Sequence, residues 1–279
     1  MFFQTESMNH CLTPEQMSHI LTQTQTRVRV VSQRVPKQSI KHQSSKALKL
    51  LSPNQTRYSE LIHTSINSGG SSCNSGIIIG VGCSGSGKTT IPVTIAAEKL
   101  MANKISKIII TRPNITVDES HGYLPGSIEQ KMLPFLKPIY DCFLEFMTMD
   151  KMKSYLKSET IEICPFSYIR GRTFSDSFIL ADETQNTTIS QMKTLLTRIG
   201  ENSTIVLTGD LTQSDLCNGQ NGQNGRSSTC KANGLSDILQ RIEKQFETSD
   251  ESCISVVEFT EEDIVRSELV KKIVKLYEM

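Results

Sequence analysis

No run of apolar residues in this chain approaches the roughly 20 needed to cross a bilayer. The amino end, MFFQTESMNH, lacks the basic segment followed by a long apolar one that marks a secretory leader. Net charge is missing too: 30 Lys and Arg against 29 Asp and Glu leave +1, so bulk electrostatics select no partner. The cysteines, at 11, 73, 83, 142, 164, 217, 230 and 253, show no paired metal-ligand spacing and are scattered, which argues against a disulfide framework. Cys83 lies in a glycine-rich loop where a disulfide would be awkward, which fits a reducing compartment. These absences predict a soluble, cytoplasmic protein with no membrane partner. The last absence is local. Between Gln16 and Ser59 there is no Asp or Glu, whereas Arg27, Arg29, Arg34, Lys37, Lys41, Lys46, Lys49 and Arg57 all occur. Such a stretch is commonest as a solvated tail, and it can also hold a polyanion such as RNA or DNA.

What is present centres on VGCSGSGKTTI, which supplies Gly82, Cys83, Ser84, Gly85, Ser86, Gly87, Lys88, Thr89 and Thr90. Glycine, four residues, glycine, lysine and serine or threonine is a phosphate-binding pattern with a physical reason at each fixed position. Gly85 and Gly87 can take backbone angles closed to other residues, so that several N–H groups turn inward around one anion. Lys88 adds a mobile point charge for the outer phosphates, and the Thr89 hydroxyl suits a magnesium ion that keeps most of its waters. The run GIIIGVG before the loop reads as a buried parallel strand, and Ile91, Ile95, Ala96 and Leu100 after it repeat at helical spacing. A helix starting there aims its positive end at the phosphates.

Residues 1–48 are rich in Gln, Ser and Thr and read as a flexible basic extension; 49–279 read as the folded domain. Ser52, Pro53 and Asn54 signal a helix start, with Tyr58, Leu61, Ile62 and Ile66 on one face. Gln55 stands at its beginning, and its amide is a candidate for reading an adenine edge or simply an exposed helix-start residue. Lys107 to Thr111 read as a second buried strand, which delivers Thr111, Arg112 and Asn114 to the carboxyl end of the sheet, where ligands collect. Pro134 and Pro138 predict a kinked or broken helix in the following apolar segment. Residues 150–160 are charged, and IEIC is a short strand. Arg170 and Arg172 flank Gly171 on a loop suited to phosphate, nucleic acid or a subunit boundary.

FILADETQN then ends a buried strand in two carboxylates, Asp182 for the magnesium ion and Glu183 for polarising a water. Thr188 and Gln191 predict a capping box ahead of an apolar stripe through Ile189, Met192, Leu195, Leu196 and Ile199. STIVLTGD is another buried strand, leading to Gln213, a candidate sensor of the γ-phosphate. CNGQNGQNGRSSTCK is a low-complexity insertion whose Cys217 and Cys230 read as free thiols. GLSDILQRIEKQF predicts a helix and SCISVVEFT a strand. A closing helix is capped by Thr260 and Asp263 and carries Arg266 beside its buried side. The sum is an α/β fold with a mostly parallel sheet covered by helices on both faces.

The phrases TRPNITVDESHGYLPGSIEQKMLPFLKPIYD, SYIRGRTFSDSFILADETQNTTISQMKTLLTRIG and TGDLTQSDL closely resemble the PhoH-like family of ATPases over about residues 50 to 279. The resemblance implies a RecA-like P-loop NTPase core related to superfamily 1 helicases, using ATP and Mg2+. It places Gln55 at the adenine-reading position, Lys88 and Thr89 in the phosphate-loop pair and Asp182 and Glu183 at the magnesium and water-activating acids. Gln213 falls at the γ-phosphate-coupling glutamine and Arg266 at a candidate arginine finger, with Arg170 and Arg172 as alternatives. It also implies single-stranded nucleic acid, RNA above all, as partner and a homo-oligomeric ring, since one core cannot clamp and ratchet a strand. Some relatives carry a PIN-type nuclease domain; residues 1–48 hold no cluster of acids, so nuclease activity is not expected. The residues alone leave open a small-molecule kinase and a nucleotide-switched binding module, although the paired acids and the TGD phrase favour water as acceptor.

Overall fold

A computed structural model describes residues 49–67, 75–113, 128–214, 233–246 and 253–264, with 128–135 as backbone alone. The basic extension, the 217–231 insertion, Asn114 and the closing helix beyond its Thr260–Asp263 capping box, with Arg266, lie outside the described residues.

The β-branched runs form the strands that their patterns predict: β1 (Gly76–Gly82), β2 (Lys107–Thr111), β3 (Ile161–Ile163), β4 (Ser177–Ala181), β5 (Thr204–Gly209) and β6 (Ile254–Phe259). They make a six-stranded sheet in the order β3-β2-β4-β5-β1-β6. Every pairing is parallel. The helix α1 (Pro53–Asn67) precedes β1; parallel strands then need crossovers, which run through α2 (Thr90–Met101), α3 (Ile128–Phe146), α4 (Met149–Lys157), α5 (Ile189–Leu196) and α6 (Gly234–Phe246).

Alternation along the strands divides the core into two layers. Ile78, Ile108, Ile110, Phe178, Leu180, Val206 and Val257 face one way, onto Tyr58 and Ile62 of α1, Ile91 and Ile95 of α2, and Phe143 of α3. Ile79, Ile109, Ile179, Ile205 and Leu207 face the other way, onto Met192 and Leu195 of α5 and Leu235 of α6. Both faces are covered, so the strands carry unbroken apolar runs.

Local signals explain most boundaries. Ser52 Oγ accepts from Gln55 N at 3.1 Å, which caps α1 with Pro53 at its first position. The Thr188–Gln191 capping box is present at α5. Three expectations are corrected. First, α3 is continuous across Pro134 and Pro138. Its buried Leu136, Ile139, Tyr140 and Phe143 hold it to the core and offset backbone hydrogen bonds whose loss costs about 3 kcal/mol per proline. The charged segment after 148, to which the sequence pattern assigned no element, is the helix α4, where Thr148 Oγ1 accepts from Lys151 N at 3.3 Å and Met152 is buried. Second, Cys253 is disulfide-bonded, against the expectation drawn from the scattered spacing, whereas Cys83, Cys142 and Cys164 carry thiols outside any disulfide. Third, Ile189, expected in the apolar stripe of α5, is exposed. No described helix is long and apolar enough to cross a membrane.

Candidate active site

Because every strand runs the same way, the segments after β1, β2, β4, β5 and β6 emerge at one edge of the sheet. The glycine loop follows β1, Arg112 follows β2, Asp182 and Glu183 follow β4, Asp210 and Gln213 follow β5, and the Thr260–Asp263 turn follows β6.

Gly85 and Gly87 have φ of 87° and 89°, the left-handed region that turns successive N–H groups inward. Gly82 is required for a different reason: a Cβ there would sit 2.1 Å from the Phe259 carbonyl oxygen. The helical hydrogen bonding of α2 starts inside the loop, with Ile91 N donating to Gly87 O at 2.9 Å. The amino end of α2 therefore opens onto the cradle. Ser86 is buried and its hydroxyl donates to Cys83 O, while Lys88 Nζ donates to the same carbonyl at 2.9 Å. Ser84 and Thr90 are exposed at the rim. Burial pushes the Cys83 thiol up despite the opposing pull of Lys88, and the thiol donates to Thr260 O at 3.2 Å.

The acids are placed by strand alternation. Phe178 and Leu180 face the α2 side, and Asp182 continues that parity, as Thr208 does after Val206. Asp182 Oδ1 accepts from Thr89 Oγ1 at 2.8 Å and from Thr208 Oγ1 at 2.6 Å. The phosphate-loop hydroxyl and the strand carboxylate are thus in direct contact. Arg112 reaches both acids, lying 3.3 Å from Asp182 Oδ2 and 3.6 Å from Glu183 Oε1. Glu183 has φ 55° and ψ 42°, a left-handed conformation that costs a residue other than glycine about 1–3 kcal/mol. Gln185 holds it there, donating from Nε2 to Glu183 Oε2 at 2.5 Å while its Oε1 accepts from Asp210 N. Asp210 in turn accepts from Thr212 and, at 2.9 Å, from Gln213 Nε2.

Gln55 is buried rather than an exposed helix-start residue. Its Nε2 donates to Ser86 O at 3.0 Å and to Asp263 O at 3.1 Å, and its Oε1 accepts from Leu51 N. Both amide hydrogens are engaged in fastening the phosphate loop to the turn after β6, so reading an adenine edge requires exchanging those bonds. Asp263 completes the fastening. Burial raises its carboxyl, but hydrogen bonds from Asn54, Ser52 and Thr260 outweigh that and hold it below the usual carboxylate range. Tyr58 packs edge-on against Phe259 and its hydroxyl donates to Lys88 O at 3.3 Å.

Arg170 is exposed. Arg172 belongs to another cluster at the β3 edge, donating to both oxygens of the buried Glu162 and to Cys164 Sγ, with its guanidinium 4.7 Å from the Phe174 ring. A cavity of about 140 Å³ lies between Ser65, Ser177 and Thr204, at the amino ends of β4 and β5 and so across the sheet from the phosphate loop.

The parts that sequence reasoning passed over are Gln185, Thr208 as a ligand of Asp182, and Arg112 as the cation between the acids. Gln185 lies inside the ADETQN phrase, two residues from Glu183, which was the available signal.

A parallel sheet with a phosphate loop after one strand and paired acids after another defines the α/β P-loop NTPases. Within that class the chain belongs to the PhoH-like family: the family model described as PhoH-like protein matches residues 47–278. It is 39% identical over 203 residues to Protein PhoH of Escherichia coli (strain K12), covering 72% of this chain and 52% of that protein. It is 37% identical over 198 residues to a PhoH-like protein of Synechocystis sp., covering 71% and 55%. The chain thus spans about half the length of these curated relatives. Among solved structures, the Pif1 helicase from Candida albicans is similar over 83% of this chain and 44% of that one, at 13% identity and a TM-score of 0.37. The S. cerevisiae Hsp104-ADP complex is similar over 80% and 36%, at 16% identity and a TM-score of 0.33.

Proposed function

We propose that this chain binds ATP with Mg2+ and hydrolyses it. The observation that carries the reading is the direct contact of Thr89 with Asp182, with Glu183 beside it and the glycine cradle on the same edge. The donor set fits magnesium: a hydroxyl and a carboxylate, both hard oxygen donors. Among the described residues there is no cluster of three or more His, Cys, Asp or Glu that could cage a metal by itself. Mg2+ bound with phosphates needs only one or two carboxylates. Thr89 and Asp182 would hold it, and when bound it would neutralise charge on the phosphate oxygens.

The chain's own groups divide the remaining work. Cradle N–H groups fix the phosphates, and Lys88 leaves the Cys83 carbonyl for the outer ones. Glu183, half-exposed and aimed by its backbone and Gln185, orients and polarises the attacking water. Gln213, carried on the Asp210 turn, reports whether the γ-phosphate is present. Gln55 holds the loop in register with the turn after β6 and meets the base only by exchanging those bonds.

Coupling to single-stranded RNA or DNA, and assembly into a ring in which Arg266 completes a neighbour's site, follow from the family resemblance and from the acid-free stretch between Gln16 and Ser59. Steady-state ATP hydrolysis with Mg2+, with and without single-stranded RNA and DNA, tests the reading. Lys88→Ala is expected to abolish turnover. Hydrolysis equal in the wild type and in Lys88→Ala would sink the ATPase reading, and unstimulated but Lys88-dependent hydrolysis would remove the nucleic acid from it.

A further inference from the structure

Arg112 is at the end of β2, one residue beyond the paired Thr111 and Ala181. Asp182 N donates to Thr111 O at 3.0 Å, so the β2–β4 ladder continues up to the charged residues and fixes their separation. Asp182 is buried, and its Oδ1 is occupied by Thr89 and Thr208, which leaves Oδ2 for a cation. Arg112 stands there, its side chain 17% exposed. It also lies near Glu183, so one guanidinium serves two carboxylates at 3.3 and 3.6 Å, longer than the roughly 2.7–2.9 Å of a tight charge-assisted hydrogen bond. One guanidinium thus spans the two carboxylates.

We propose that Arg112 is a positioning residue that stands in for the metal: in the nucleotide-free chain it takes the cation's electrostatic place at Asp182, and it gives that place up when phosphates enter. A buried carboxylate without a partner is costly, so Asp182 needs a cation in both states. A guanidinium and a divalent cation repel each other across one carboxylate, so the metal enters as Arg112 is drawn off Asp182 by another anion. Nucleotide phosphate is that anion, and it suits the planar fork of a guanidinium better than a loose pair of carboxylates does. Metal and nucleotide binding are thereby coupled through one side chain. The proposal rests on the ATPase reading for the identity of the incoming anion.

The test uses the full chain without nucleotide and Mn2+ as a spectroscopically visible substitute for Mg2+. Arg112→Gln removes the competing charge and is expected to tighten Mn2+ binding by about 5-fold or more, the lower end of ordinary coupling between sites. Asp182→Asn added to it should erase the gain. Binding of a fluorescent ATP analogue in EDTA should weaken several-fold in Arg112→Gln, because the phosphates lose a partner. If the glutamine variant does not fold, Arg112→Lys keeps the charge but cannot span both acids, and Mn2+ binding should tighten by a smaller factor. Mn2+ binding that is unchanged or weaker in the folded variant, or a gain that survives Asp182→Asn, would overturn the proposal. The Mn2+ titration contains no nucleotide, so its outcome is independent of whether the wild type hydrolyses ATP.

Discussion

Two arginine–carboxylate clusters are on the same sheet and differ in every respect that matters. At the β3 edge, Glu162 is grasped through both oxygens by Arg172 and again at 2.6 Å by Lys107, so two cations surround one anion. Arg172 is further braced by Cys164 and the Phe174 ring. At the carboxyl edge, Arg112 is shared between Asp182 and Glu183 at longer range, and the anions outnumber it. The first arrangement is saturated and has no capacity for a ligand. The second spreads one guanidinium over two carboxylates beside the glycine loop. Proximity of arginine to a carboxylate is common to both clusters; the way each carboxylate is gripped is what differs.

The largest expected effect comes from breaking the second cluster at its reacting end. Glu183→Gln keeps shape and the contact with Gln185 but cannot take a proton, so kcat should fall by about 10²- to 10⁴-fold with nucleotide affinity within a few-fold of wild type. Single-turnover hydrolysis beside an equilibrium binding titration checks both halves, and normal turnover would refute the assignment of the base. Next comes Arg172→Ala. Glu162 keeps Lys107, and Arg172 is 36% exposed, so the loss is expected to be about 1–3 kcal/mol in chemical denaturation rather than the larger cost of stranding a charge. Nucleotide affinity should not change. A variant of normal stability that binds ATP poorly would erase the distinction between the clusters and restore Arg172 as a phosphate-binding residue.

The split between what could and could not be read from the residues follows the same line. β2 was legible to the residue because an isoleucine run lies between Lys107 and Pro113, and α6 because its apolar period is flanked by Gly234. The phosphate loop and the acid pair were legible because each is contiguous. What was not legible depends on register between distant segments. That Arg112 meets Asp182 follows from β2 and β4 being neighbours, a pairing across about 70 residues that no local pattern encodes. That Gln55 is buried and bonded to Ser86 and Asp263 needs three segments brought together from the two ends of the domain. α4 went unassigned because four charges in nine residues hide its apolar period, although Thr148 caps it. α3 was expected to break because the cost of two prolines is local and visible, whereas the packing of Leu136, Ile139 and Phe143 that offsets it is not.

The smallest expected effect sharpens the contrast from the pH side. Burial pushes the Glu162 carboxyl up, but hydrogen bonds and charge from Arg172 and Lys107 more than reverse that and hold it below its ordinary value of 4.5. A carboxyl depressed in the folded state stabilises fully above its unfolded value and loses that contribution as pH falls through the folded one. Glu162→Gln removes the titration while keeping the shape. The variant should therefore be less stable than the wild type at pH 7, and the gap should narrow as pH drops below about 4.5, where the carboxyl of the unfolded chain begins to take up a proton that the folded one still refuses. Paired denaturant titrations at pH 7, 5 and 4 measure the gap directly. A gap of constant size across that range would mean that Glu162 is not the anion holding Arg172 and Lys107, and the β3 cluster would lose its claim to be the saturated one.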